Sequence, residues 1–177
     1  MMNVEGNEKF EDSNTYLFME EVTEDSCKDL VSWILEKNHQ SRDSTLNLII
    51  CSPGGELLPC FGVLDAMKLS PIPIHTKAIG LVASCGLLIA MTGDKRVVSK
   101  NCSIMSHQFT GFRYGKQHEL LSSRKQEDML IKKLTDHYQF CTSLPRSVIS
   151  SELLGPTDIW LSPEEAIKYN LFDEVIG

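Results

Sequence analysis

LNLIICSPGG, residues 46–55, is the stretch on which the architecture turns. Leu46 to Cys51 is a continuous apolar run of strand length, the pattern of a strand buried on both faces. It ends abruptly in Ser52-Pro53-Gly54-Gly55, a cluster of turn residues. Apolar residues then recur at Leu57, Leu58, Phe61, Leu64 and Met67, the spacing of a helix over Leu57 to Leu69. Pro59 fits only in its first turn, so the helix begins close to Glu56.

The same unit of strand, turn and helix recurs on either side. Upstream, Thr15 to Met19 reads as a strand. Glu24 to His39 reads as a helix behind the capping candidates Asp25 and Ser26, with Leu30, Val31, Ile34 and Leu35 on one face. Downstream, Pro73 to Ile79 reads as a strand, Ser84 to Met91 as a short helix apolar all round, and Lys95 to Val98 and Ser103 to His107 as two further strands. Gln117 to Cys141 is one long helix, ~37 Å at 1.5 Å per residue, whose middle, Ser122 to Asp128, is polar on every side. It is either an arm that packs on a partner subunit or a surface helix with a solvated face. Ser162-Pro163-Glu164-Glu165 is a capping box that opens a helix ending near Tyr169, and Leu171 to Ile176 closes the chain as a strand. Alternating strands and helices predict an α/β fold with a mainly parallel sheet. Without repeat or linker, residues 1–177 form a single domain.

The 177 residues carry 17 Lys and Arg against 24 Asp and Glu, a net charge of −7, so no basic surface recommends nucleic acid or membrane as a partner. The six cysteines lack metal-site spacing and read as reduced, small apolar residues. The longest apolar run, Gly80 to Met91, falls short of the ~20 residues that span a bilayer. Met1 to Asp12 has no secretory pattern, and a soluble intracellular protein is expected.

Three features carry candidate chemistry. Ser84, where strand and turn meet a buried helix, is either a helix cap or a nucleophile. Gly54 and Gly55 are either a tight turn or a backbone close enough to a ligand for the Gly55 N–H to act as an oxyanion donor beside that of Cys85. His107, at a strand end, is either a satisfied polar residue or a general base. Cys85 is a rival nucleophile, expected to point into the core instead. His39, His75, His118 and His137 read as lying on polar or helical faces without a role.

Taken in order, residues 49–67 (IICSPGGELLPCFGVLDAM), 79–93 (IGLVASCGLLIAMTG), 100–111 (KNCSIMSHQFTG) and 157–177 (TDIWLSPEEAIKYNLFDEVIG) resemble the ClpP family, the serine peptidase subunits of the caseinolytic (Clp) protease. The resemblance runs from about Tyr16 to Ile176. It implies a crotonase-like βαβ spiral with a projecting handle helix at Gln117 to Cys141. It implies Ser84 as nucleophile, His107 as general base and Asp158 as the acid, with Asp94 and Asp173 as competitors, and the backbone N–H groups of Gly55 and Cys85 as the oxyanion hole. Substrate would lie along Gly54, Glu56 and Leu57 on one side and Gln108, Phe109, Thr110 and Gly111 on the other.

The implied activity is endopeptidase cleavage of unfolded proteins and peptides. The implied assembly is a ring of seven subunits, singly or as a double ring of fourteen, fed by a hexameric AAA+ unfoldase of the Clp type and shared in some cases with related ClpP or ClpR subunits. No cofactor or metal belongs to the chain itself, since ATP is used by the partner ATPase. The expected location is the cytoplasm, or a plastid stroma, or a host cytoplasm for a phage protein.

The chain departs from the family pattern in four places. Met1 to Asn14 does not match the family's N-terminal region, Thr157 stands where the family commonly has an arginine, Cys85 replaces a methionine, and the turn at Gly93 to Lys95 is short. These mark a short, divergent member. Other readings are a catalytically silent ring subunit, which the presence of all three triad residues opposes, an acyl-CoA hydratase or isomerase, and a Ser-Lys signal-peptide peptidase, which would need a membrane segment.

Overall fold

In the computed structural model, which describes residues 14–40, 44–108 and 116–177, strands and helices alternate along the chain. Their order is β1 (Thr15–Phe18), α1 (Glu24–Gln40), β2 (Leu46–Ser52), α2 (Leu57–Leu69), β3 (Ile74–Ala83), α3 (Cys85–Ala90), β4 (Lys95–Ser99) and β5 (Ser103–Ser106). There follow α4 (Gln117–Thr142), α5 (Arg146–Val148), a π-helical turn (Ile149–Leu153), β6 (Ile159–Leu161), α6 (Pro163–Lys168) and β7 (Glu174–Ile176). Strands β1, β2, β3, β4 and β7 lie side by side, each parallel to the next. β5 pairs parallel with β3, and β6 antiparallel with β5.

One face of β2 is sealed. Leu46, Leu48, Ile50 and Ser52 are fully buried, while Asn47, Ile49 and Cys51 between them are half-buried, so the expectation of a strand buried on both faces holds for one face only. The helices supply the reason: α1 packs on α2, α2 on α3, and α3 on β2 and β3, a continuous helical layer over the sealed face. The core beneath it includes Phe18, Leu30, Ile34, Val63, Leu64, Ile74, Val82, Leu87 and Ile89. Each fully buried aliphatic side chain there contributes about 1.5–3 kcal/mol relative to exposure, offset by the conformational entropy of ordering the chain.

β3 is longer than its sequence implies. Gly80 reads as a strand end, yet the strand passes through it, because a residue without Cβ can adopt φ +61° inside the ladder. The register with β2 slips there: Ile50 pairs with Ala78, but Ser52 with Val82. The kink also changes β3's other neighbour. Before it His75 to Ala78 pair with β4, and after it Leu81 to Ala83 pair with β5.

Three further differences lie near the C-terminus. β6 and the helical segment 146–153 have too few residues to show a period, and neither stands out in the sequence. Trp160 of β6 is largely exposed, at 59%. The last strand is shorter than the apolar run at 171–176, because Asn170 turns left-handed at φ 56° to end α6 and leaves Leu171 and Phe172 as buried plugs before β7 begins.

Helix α4 divides in two. Its described side chains before Leu130 are exposed or half-buried, and Leu130, Leu134 and Tyr138 then pack into the body. His137 shares this buried part, on a helical face and not a polar one: it is only 4% exposed. Thr92 spends its hydroxyl proton on the Leu88 carbonyl at 2.7 Å, so at 3.2 Å from His137 Nε2 it can only accept. The ring proton therefore sits on Nε2, and Nδ1 accepts from Lys68 Nζ at 3.2 Å. Burial, together with the Lys68 charge, pushes His137 down to about 4. The native state thus refuses a proton that the unfolded chain takes up below about 6.5. This stabilisation is whole above pH 6.5 and is lost as pH falls toward 4, by up to about 3 kcal/mol. Denaturant unfolding between pH 7 and pH 4 should accordingly show a shallower loss of stability in His137→Gln than in the parent chain.

Candidate active site

The register of β3 on β5 brings Ser84 and His107 to the same end of the sheet. Ala83 pairs with Met105, and the Ser84 N–H donates to the Met105 carbonyl at 2.9 Å before the chain turns into α3. At that corner Ser84 adopts φ 53° and ψ −123°, a conformation that side-chain-bearing residues avoid and that costs about 1–3 kcal/mol. The corner is held on both sides, since the Ser84 carbonyl accepts from the Leu88 N–H at 3.2 Å and every residue of α3 is buried. Ser84 makes no capping bond with its side chain. Its Oγ stands instead 2.7 Å from His107 Nε2.

The antiparallel pairing of β5 with β6 sets the third group. Met105 pairs with Trp160 and Ser106 with Ile159, so one step further along the same register His107 faces Asp158. His107 Nδ1 lies 3.6 Å from Asp158 Oδ1, an ion-pair distance just beyond a hydrogen bond. The competing carboxylates are engaged elsewhere. Asp94 accepts from the Ile74 N–H at 2.8 Å. Asp173 accepts from the Arg96 N–H at 2.8 Å and holds the Arg96 guanidinium, which also reaches the carbonyls of Cys141 and Asn170. Burial works to raise the Asp173 carboxyl, but these bonds outweigh it and hold the group below the ordinary carboxylate value.

Gly54 and Gly55 bring a second backbone against this corner. Their φ angles are +93° and +149°, and a Cβ on Gly54 would lie 2.7 Å from both the Ala83 carbonyl oxygen and Ser84 Cβ. Gly55 is bridged to Val22: the Val22 N–H donates to the Gly54 carbonyl and the Glu56 N–H to the Val22 carbonyl, each at 2.8 Å. The N–H groups of Gly55 and Cys85 have no acceptor among the described residues. Cys85 Sγ points inward, 3.3 Å from the Gly55 carbonyl, and the side chain is 3% exposed.

These groups border a cleft of about 480 Å³. Gly54, Gly55, Glu56, Leu57, Ser84, Cys85, His107 and Gln108 all line it, while Asp158 stands behind His107, outside the lining. The expected substrate contacts at Phe109, Thr110 and Gly111 lie outside the described residues. Sequence reasoning missed Glu21, Leu88, Met105, Leu134 and Tyr138 as walls of the cleft. The apolar stripe of α4 holds Leu134 and Tyr138, but a helical period says that a face is buried and not what it borders.

The arrangement pairs a strained, partly exposed hydroxyl with an imidazole, a carboxylate behind the imidazole, and two unpartnered N–H donors beside the hydroxyl. The solved structure of a ClpP1 mutant from Listeria monocytogenes superposes with a TM-score of 0.83 over 93% of this chain and 92% of that one, at 24% identity, a likeness of fold. The ATP-dependent Clp protease proteolytic subunit of Deinococcus radiodurans is 32% identical over 88% of this chain and 76% of its own length. The ATP-dependent Clp protease proteolytic subunit 1 of Chlamydia caviae is 29% identical over 95% of this chain and 89% of its own. The family model described as Clp protease matches residues 5–177, and the chain belongs to the Clp protease family.

Proposed function

We propose that this chain is a Clp protease proteolytic subunit that cleaves peptide bonds as a serine endopeptidase. The observation that carries the serine mechanism is the 2.7 Å contact between His107 Nε2 and the Oγ of a serine locked at φ 53°. In the reactive tautomer Nε2 is bare and accepts the hydroxyl proton, while Nδ1 carries its own proton toward Asp158.

As Ser84 Oγ attacks the carbonyl carbon of the scissile peptide, its proton passes to His107. The imidazolium so formed draws Asp158 closer and is stabilised by it, closing a gap of 3.6 Å in the resting chain. Negative charge gathers on the former carbonyl oxygen, where the Gly55 and Cys85 N–H groups receive it. His107 then gives the proton to the departing amine. A water attacks the acyl-enzyme by the same steps, with its proton going to His107 and on to Ser84 Oγ. Glu56, Leu57 and Gln108 border the path of an extended substrate, and pairing through backbone groups makes selection among sequences loose.

The assembly that we assign is a ring of seven copies, singly or stacked as two rings, with its sites facing an enclosed chamber entered through an AAA+ ATPase that consumes the ATP. The exposed apolar residues Leu121 and Met129 on the outer half of α4, and Ile131 just past it, support a contact between copies through that helix. We place the protein in a cytoplasm or plastid stroma, with no cofactor of its own.

Cleavage of a short fluorogenic peptide, with particle mass determined on the same samples, tests this reading. Ser84→Ala should lose at least about a thousandfold in kcat with unchanged mass, and retained cleavage would remove Ser84 as nucleophile. Labelling by a fluorophosphonate should vanish in Ser84→Ala and fall sharply in His107→Ala. Asp158→Asn should keep the fold and lose about 10²–10⁴-fold in kcat, because the ring is then left without a charge to stabilise its protonated form. Normal activity in Asp158→Asn would strike that residue from the mechanism.

A further inference from the structure

Between the strand that carries the candidate base and the segment that leads to its acid runs a buried chain of hydroxyls. Ser106, the residue before His107, is 0% exposed, and its Oγ lies 2.6 Å from the Leu153 carbonyl oxygen and 2.6 Å from Tyr138 Oη. A carbonyl only accepts, so the single Ser106 proton goes to Leu153. Tyr138 must then donate to Ser106, which gives the chain a direction: Tyr138 O–H to Ser106 O–H to O=C Leu153. Its members stand on three different elements. Tyr138 is on α4 and lines the cleft, Ser106 ends β5, and Leu153 closes the π-helical turn five residues before Asp158.

We infer that Ser106 and Tyr138 are positioning residues for the triad, fixing the end of β5 and the approach to Asp158 against α4 so that His107 stays between Ser84 and its carboxylate. The inference rests on the serine-peptidase reading above. Its physical basis is that the β5–β6 ladder by itself holds the His107–Asp158 pair loosely, at 3.6 Å, while two short bonds between fully buried groups admit little play. The tyrosine also conveys the seating of α4 to the catalytic strand: a displacement of α4 that pulled Tyr138 away would release Ser106.

The direction of the chain makes the test specific. Ser106→Ala strands both the Tyr138 donor and the Leu153 acceptor, whereas Tyr138→Phe removes a donor and leaves the Ser106–Leu153 bond in place. In assembled particles well below their melting temperature, Ser106→Ala should lower kcat for a fluorogenic peptide about tenfold and Tyr138→Phe about threefold, with KM within about twofold of the parent. The rate of fluorophosphonate labelling at Ser84 should fall in parallel. The double variant should be no worse than Ser106→Ala, since the phenylalanine removes the stranded hydroxyl, and this non-additivity marks a shared bond.

Unchanged kcat and labelling in folded Tyr138→Phe and Ser106→Ala would overturn the inference, as would losses that simply multiply. Should Ser106→Ala fail to assemble, Tyr138→Phe decides alone. A parent protein that neither cleaves nor labels would instead refute the peptidase reading, so the two failures are distinct.

Discussion

The backbone at Gly54 passes so close to the corner at Ser84 that no methyl group fits between them. That contact is the constraint on which the rest of the site depends. It requires β2 to end where it does, with its glycines in conformations closed to other residues, and it requires β3 to run on past its apparent end so that Ser84 arrives at the same level. The kink at Gly80 satisfies the second requirement by letting one strand exchange its neighbour β4 for β5. The bridge from Val22 satisfies the first, holding the glycine backbone from its far side. The energy stored in the Ser84 conformation is supplied by the buried helix behind it, an expense that a wholly apolar α3 can bear.

Much of this was legible in the order of residues. The apolar run at 46–51, the glycines after it and the helical spacing of 57–69 fix the first strand–turn–helix unit, because the run has strand length and stops at turn residues while the helical period is sustained over thirteen residues. Ser84, His107 and Asp158 could be named from motif resemblance, and the structure brings all three within reach of one another. What stayed hidden is what depends on register. β6 has three residues, too few for any period, and yet its pairing with β5 is what sets Asp158 opposite His107. The burial of His137 was equally hidden, since its partners Lys68 and Thr92 come from distant segments.

Side chains that a motif omits can still shape the site. Tyr138 sits in a stripe that any helix packed on a core would show, and only the fold reveals that it borders the cleft while its hydroxyl reaches the strand of the base. Ser106 looks like an ordinary polar interruption at the end of a strand. Hydroxyls at such places become informative only when their proton has to be assigned, because one acceptor-only neighbour orients the entire chain.

Trp160 has a use that its place on β6 makes available. It is one of two tryptophans in the chain. The other, Trp33, is packed against Tyr16 with ring centroids 5.2 Å apart, whereas Trp160 stands mostly in the open two residues beyond Asp158. In a chain whose Trp33 is replaced by phenylalanine it is the one tryptophan left to excite, a lamp fixed to β6 beside the acid. Its emission colour reads out whether that strand is wet or covered, without any label and in a protein still free to work.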